Sequence, residues 1–356
     1  MKILWLAHRD IKNPRAGGAE RYVYEVSRRL VRDGYDITVI APSFKGGKGF
    51  ELINGIKVLR YRTNFGPHLV LPFHILTRKY DCIINDLGHV VPWPTAPLFS
   101  KNNIVMFHHL HARTLPGQVN PLLATILSKI EKLYPLIYKR AIFVTVSSTS
   151  REDLINLGIN ERKIKLIPPG VNKELFKPRI KNSYPSMVYF AGIRKYKRPE
   201  EALFLLKEVI SEFPNAKLYF IGTGPEIERL NELLHELKLE NNAIFTGKLG
   251  EEKLAEIVGS SWLNVYTSVS EGFGLSIIEA SASGTPTVAY NVPGVADAIE
   301  DGLNGIKVKT REELVKAAIK ILKDPEPWWK NSLKVAEKYS WERTTELWKS
   351  LFSRLS

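Results

Sequence analysis

Residues 270–286 read SEGFGLSIIEASASGTP and set two carboxylates, Glu271 and Glu279, on either side of a glycine-rich elbow. The helical pattern begins near Gly274 or Leu275, so Glu271 is expected on the loop and Glu279 about a turn and a half into the helix. The backbone amides of Gly272, Phe273, Gly274 and Leu275 fall where a helix leaves its N–H groups without intrahelical acceptors, a ready site for an acceptor oxygen. Glu279 suits the vicinal hydroxyls of a ribose, and Glu271 suits sugar hydroxyls. The competing reading makes Glu271 a partner for the helix dipole and leaves Glu279 on the surface.

Other loops carry related chemistry. In FAGIRKYKRPEEAL, Gly192 ends a strand, and Arg194, Lys195, Lys197 and Arg198 crowd the start of a helix. Four cations there oppose the helix dipole, so they fit a bound polyanion, with arginine offering a bidentate fork and lysine a mobile charge. In IGTGPEIERL, Gly222 and Gly224 match part of GxGxxG, but Ile227 stands in the third glycine's place. That is a weak dinucleotide fingerprint and a plausible tight turn beside a nucleotide. Near the amino end, Gly17 and Gly18 precede a helix and would let an anion approach its amides. The run FHHLH places His108, His109 and His111 just after an apolar strand pattern.

These residues must be positioned by alternating strands and helices. Continuous apolar runs at 2–7, 36–40, 81–85, 103–107, 142–146 and 164–167 predict one set of buried parallel strands. Runs at 187–192, 217–222, 242–247, 262–266 and 286–290 predict a second. Helical periodicity fits 18–33, 121–138, 148–157, 198–212, 225–238, 250–258, 274–283, 311–323 and 341–353. The expected fold is α/β: two Rossmann-like, doubly wound parallel-sheet domains facing across a cleft, with ligand at the carboxyl ends of the strands. The domains are placed at 1–178 and 179–338. The polar stretch 177–186 is the linker, and a last helix, 339–356, crosses back to the first domain.

The bulk composition narrows the function classes. At 356 residues the chain is long enough for two cores. A single cysteine, Cys82, excludes an intramolecular disulfide, and the absence of CxxC and HExxH patterns speaks against zinc. No apolar run reaches the length of a membrane span, so a cytoplasmic protein is expected. Net charge is +14, and residues 1–180 carry 28 Lys and Arg against 13 Asp and Glu. The first half therefore faces something anionic, or simply wears a solvated basic surface. Two of its stretches, 60–80 and 121–140, mix aliphatic, aromatic and basic residues. The second could lie at a membrane interface, with Lys129, Lys132, Lys139 and Arg140 near headgroups, unless its apolar face is core.

Taken in order, GGAE, FHHLH, TVSSTSREDL, IPPGVN, AGIRKYKRP, IGTGP and SEGFGLSIIEA resemble the retaining GT-B glycosyltransferases of the group 1, family 4 type. The resemblance implies transfer of a hexosyl unit from a UDP- or GDP-sugar to a hydroxyl acceptor, either a glycan or a lipid-linked or other anionic compound. It implies that Gly17 and Gly18 approach the donor, and that Lys197, with Arg194, neutralises its diphosphate. Glu271 would hold the sugar, with the amides of Gly272 to Leu275 on sugar and phosphate, and Glu279 would bind the ribose. The family histidine maps best onto His108, although His109 and His111 stand close by. Ile193 occupies the position where the family usually has its arginine.

The motifs supply no obvious carboxylate nucleophile, since Glu271 is committed to sugar hydroxyls, so front-face transfer without a metal or other cofactor is expected, the leaving diphosphate taking the acceptor's proton. The protein would sit in the cytoplasm, with a peripheral place at the inner face of an anionic membrane as the second expectation, and no nucleic acid partner is expected. The alternatives are a nucleotide-sugar epimerase or hydrolase on the same architecture, a phosphorylase, and a nicotinamide oxidoreductase.

Overall fold

A computed structural model describes residues 1–63, 66–94, 102–115 and 119–355. Asn64 and Phe65, within the 60–80 stretch, lie outside the described residues. The chain divides into two compact units, residues 1–169 with 341–356, and residues 170–340. Residues 170–178, assigned above to the first domain, belong to the second unit, and so does the whole of the 177–186 stretch. By sequence the first unit carries 28 Lys and Arg against 14 Asp and Glu, the second 23 of each.

The first unit is built on a sheet whose strands are β1 (Lys2–Leu6), β2 (Asp36–Pro42), β3 (Phe50–Ile53), β4 (Ile56–Tyr61), β5 (Cys82–Asp86), β6 (Asn103–Phe107), β7 (Ile142–Thr145) and β8 (Ile164–Leu166). Their order across the sheet is β3-β4-β2-β1-β5-β6-β7-β8. All pairings are parallel except β3 with β4. Every residue of β5 and β6 is buried, as strands covered on both faces require.

The β3–β4 hairpin was not among the expected strands. Phe50 and Leu52 are exposed, and β4 alternates buried and half-buried positions, so neither reads as a continuous apolar run. Its turn is nonetheless explicit: Asn54 and Gly55 both have positive φ, 47° and 82°, the conformation that two-residue hairpin turns demand.

Three helical expectations also change, and one is the unexpected helix Glu326–Ala336. Residues 66–77, holding Pro67 and Pro72, form a helix, Gly66–Thr77. The expected 121–138 helix is two, Pro121–Glu131 and Tyr134–Ile137, with Pro135 in the first turn of the second.

The last helix, Trp341–Phe352, packs on the first unit's sheet. Trp348 lies 5.3 Å from Trp5 between ring centroids, and its indole N–H donates to the Tyr22 hydroxyl at 2.9 Å. That hydroxyl in turn donates to the Ile167 carbonyl, and Arg29 pairs with Glu342 at 2.9 Å.

The second unit holds an all-parallel sheet ordered β11-β10-β9-β12-β13-β14. These strands are β9 (Ser186–Phe190), β10 (Lys217–Ile221), β11 (Ala243–Gly247), β12 (Leu263–Tyr266), β13 (Thr287–Tyr290) and β14 (Gly305–Val308). Its core gathers Leu203, Leu206, Leu218, Phe220, Leu263 and Ile321, all at most 1% exposed. Central β9 and β12 therefore end side by side, which brings the loops after Phe190 and Tyr266 together.

Candidate functional site

The elbow at 270–274 is shaped by local backbone demands. Gly274 caps the helix Leu275–Ala282 in the left-handed region, φ 84°, and a Cβ there would meet Ile277 Cδ1 at 2.8 Å. No side chain caps this helix start, and its first turn holds no acidic residue. The Glu271 amide donates to the Pro293 carbonyl at 3.0 Å, which holds the loop against the 293–294 turn. Glu279 is 8% exposed, buried rather than on the surface. Beside Glu271, the Ser270 hydroxyl is buried with no hydrogen-bond partner among the described residues.

The loop after β9 is stitched to this elbow. Thr267 Oγ1 donates to the carbonyls of Lys197 and Arg198, both at 2.8 Å, and the Val269 amide donates to the Tyr196 carbonyl. Lys197 Nζ forms an ion pair with Glu271 Oε1, the two side chains being only 13% and 16% exposed. The ammonium also lies over the rings of Tyr196 and Tyr266, at 5.3 and 5.7 Å. Burial alone would lower the Lys197 pKa, but the Glu271 carboxylate outweighs it and holds the value above that of an ordinary lysine. Burial and the same carboxylate raise the Tyr266 phenol. The loop thus holds one partly buried pair, a cation and an anion beside the aromatic rings of Tyr196 and Tyr266.

The four cations of the loop separate by role. Arg198 pairs with Glu201 at 2.9 Å, stacks over Tyr290 and sits at positive φ, so it braces the helix start. Glu201 also binds Arg311 and accepts from the Tyr290 hydroxyl, and these partners hold its carboxyl at about 2 despite burial that would raise it. Glu200 and Glu201 satisfy the dipole of the helix Glu200–Glu212. Arg194 and Lys195 remain on the exposed surface beside Gly192, available to a ligand.

Gly222 and Gly224 are closely packed against backbone. A Cβ at Gly222 would lie 2.0 Å from the Ala191 carbonyl oxygen, and one at Gly224 2.0 Å from that of Ile193. The amides of Ala191 and Ile193 donate to Ile221 and Thr223, so the two strand-tip loops continue as a narrow ladder. Ile193 is fully buried in the core beneath, which explains an apolar residue there and moves the guanidinium one position on, to Arg194.

In the first unit the structure modifies the expected anion cradle. Gly17 and Gly18 are exposed at the start of the helix Gly18–Arg32, but the Gly17 amide already donates to Glu20 Oε2 at 2.7 Å. Glu20 also takes Arg9 at 2.9 Å. His108 is buried at the tip of β6, its Nε2 3.1 Å from Asp86 Oδ1, leaving Nδ1 as the ring atom for another partner. Burial would lower its pKa, but Asp86 and Glu20 reverse the sign and favour the imidazolium.

Sequence reading missed three further histidines. His8 and His89 follow β1 and β5, and His68 lies on the helix Gly66–Thr77; their ring centroids fall 5.2 and 6.3 Å from that of His8. Each lies far from the others in the chain, so no spacing rule could have grouped them. Among the described residues no cluster of His, Cys, Asp or Glu is arranged to hold a metal ion, and no helix is long and apolar enough to cross a membrane.

Comparison with known proteins agrees with this architecture. The family model described as glycosyl transferases group 1 matches residues 171–339, and that described as glycosyltransferase family 4 matches residues 16–175. The chain is 24% identical to the GDP-mannose-dependent alpha-(1-6)-phosphatidylinositol monomannoside mannosyltransferase of Mycobacterium tuberculosis, across 84% of this chain and 83% of that protein. Among solved structures, sucrose-phosphate synthase from Thermosynechococcus elongatus superposes with a TM-score of 0.83 at 21% identity, covering 99% and 98% of the two chains. HepE from Anabaena, solved in complex with UDP and glucose, gives 0.78 at 18% identity over 99% and 100%. Two parallel-sheet units, each matched by one of the two models, show that the chain belongs to the group 1, family 4 glycosyltransferases and has their GT-B fold.

Proposed function

We propose that the chain moves a hexosyl unit from a UDP- or GDP-sugar to a hydroxyl acceptor with retention of anomeric configuration. The observation that carries this reading is the Lys197–Glu271 pair set against the uncapped start of the Leu275–Ala282 helix. A diphosphate seated there takes the Lys197 charge, the Arg194 fork and the helix amides, while Glu271, released toward the sugar, accepts its hydroxyls. Buried Glu279 accepts from the ribose. The bond from the anomeric carbon to the diphosphate oxygen breaks, the acceptor oxygen bonds on the same face, and the acceptor's proton passes to the departing diphosphate. Side-chain cations and helix amides neutralise the leaving group, so no metal is required. The GDP-mannose dependence named for one similar protein and the UDP and glucose bound to the other support a nucleotide-sugar donor.

The first unit takes the acceptor. Its helix Pro121–Glu131 buries only Glu131 and exposes Leu122 and Ile126. The helix Gly66–Thr77 exposes Leu69, Phe73 and Leu76. With Arg62, Arg78, Lys129 and Lys132 also exposed, this unit suits an anionic bilayer surface and a lipid-linked acceptor.

Incubation with a panel of UDP- and GDP-sugars and lipid extracts, with the product's anomeric configuration read by NMR, tests the whole reading. An inverted product, or transfer that requires added Mg²⁺, overturns the mechanism. Failure to sediment with anionic vesicles at low salt removes the membrane role.

A further inference from the structure

Five of the eight histidines form one continuous chain of rings in the first unit. Centroids lie 6.3 Å apart from His68 to His8, 5.2 Å from His8 to His89, 6.4 Å from His89 to His111 and 4.6 Å from His111 to His109. They arrive from the carboxyl ends of β1, β5 and β6, interior strands of the sheet, and from the helix Gly66–Thr77; ligands of open parallel sheets bind at those carboxyl ends. We propose that this imidazole chain is a proton-linked site for a phosphoryl group, so that the acceptor taken by the first unit is a phosphorylated compound. The proposal rests on the reading that this unit receives the acceptor.

The chemistry follows from what surrounds the rings. His8 Nε2 donates to the Val91 carbonyl at 3.0 Å, so the neutral ring has its lone pair on Nδ1. His111 Nδ1 lies 3.4 Å from Glu131 Oε1 but makes no hydrogen bond among the described residues. The neighbouring carboxylates are already occupied. Glu131 accepts the amides of His111 and Ala112, Asp86 holds His108 and the Gly88 amide, and Glu20 holds Arg9 and the Gly17 amide. Among the described residues a cation would find no uncommitted carboxylate there, whereas an anion would find His8 Nδ1 and His111 Nδ1, which can become donors.

Burial and mutual repulsion hold His8 and His89 below the ordinary histidine pKa, with Arg9 adding to the effect on His89; burial alone lowers His68. His8, His68 and His89 are therefore largely neutral at pH 7. A dianionic phosphate monoester cancels that repulsion, draws protons onto the rings and is bound more weakly as the pH rises.

The test titrates the full-length protein with ethyl phosphate at pH 7.0, 7.5 and 8.0 while following the imidazole C–H signals by NMR, with ethyl sulfate as the monoanionic control. The expected results are shifts in at least His8, His89 and His111, and a Kd that weakens three-fold or more per pH unit. His89→Gln should weaken binding at least five-fold, whereas Lys197→Met in the other unit should leave these histidine shifts intact. No histidine shift, a Kd independent of pH, equal binding of ethyl sulfate or an unaffected His89→Gln variant would each overturn the proposal. Failure of every nucleotide-sugar to support transfer while these shifts persist would instead reject only the transferase reading.

Discussion

Removal of Lys197 should damage the protein in two separable ways. Its ammonium and the Glu271 carboxylate are 13% and 16% exposed and are paired without ligand. Lys197→Met leaves Glu271 in that setting with its charge uncompensated, a change that costs about 3 kcal/mol where pairs are buried. Glu271→Gln strands the ammonium at similar cost. The double variant Lys197→Met/Glu271→Gln removes both charges and should return to within about 1 kcal/mol of the parent, a coupling of about 5 kcal/mol. Catalysis should not recover with stability. Loss of one contact that stabilises a leaving group lowers kcat by about 10²–10³, and the double variant still lacks the cation.

Urea unfolding gives the stabilities, and initial rates of sugar transfer at saturating donor give kcat. A loss of about 3 kcal/mol leaves a typical domain largely folded, so the rates report on chemistry. The reasoning fails if the double variant regains both stability and near-parental kcat, because the pair would then be structural only. It fails equally if the single variants lose less than about 0.5 kcal/mol.

Glu279→Ala should raise the donor KM about ten-fold or more with little change in kcat, and an unchanged KM would exclude the ribose contact. Gly224→Ala drives a Cβ to within 2.0 Å of the Ile193 carbonyl and should cost about 2 kcal/mol or more in thermal or urea unfolding; a silent substitution would show that the ladder yields freely. Lys181, held by the Ser261 carbonyl and Thr285 Oγ1, is pulled by burial to about 7. Its folded pKa lies below the unfolded value, so the unfolded chain binds more protons between these values and stability should rise by about 2 kcal/mol from pH 7 to 9. Lys181→Met should flatten that slope. Glu201, held at about 2, contributes stability that is present above the usual carboxylate pKa and disappears as pH falls toward 2. Glu201→Gln should shift the acid-unfolding midpoint, and an unmoved midpoint would assign that stability elsewhere.

The elements legible in the chain were those that carry their own pattern. Buried parallel strands such as β5 and β6 are apolar throughout because both faces are covered, and the Gly274 elbow declares itself because only glycine takes that φ cheaply. The β3–β4 hairpin hid because an edge ribbon exposes Phe50 and Leu52, although Asn54-Gly55 marked its turn. The helix Gly66–Thr77 hid behind Pro67 and Pro72, whose ring geometry reads as a break.

For the site, the order of motifs and the spacing of Glu271 and Glu279 were sufficient to mark the elbow and the cation loop, since loop and helix-start chemistry is local. Partner choice was not local. That Lys197 meets Glu271 while Arg198 serves Glu201 depends on β9 and β12 ending side by side. That Gly222 and Gly224 lie so close to the Ala191–Ile193 backbone depends on β10 lying against β9. The gathering of His8, His68, His89, His109 and His111 came only from strand order, because β1, β5 and β6 are neighbours in the sheet though far apart in the chain.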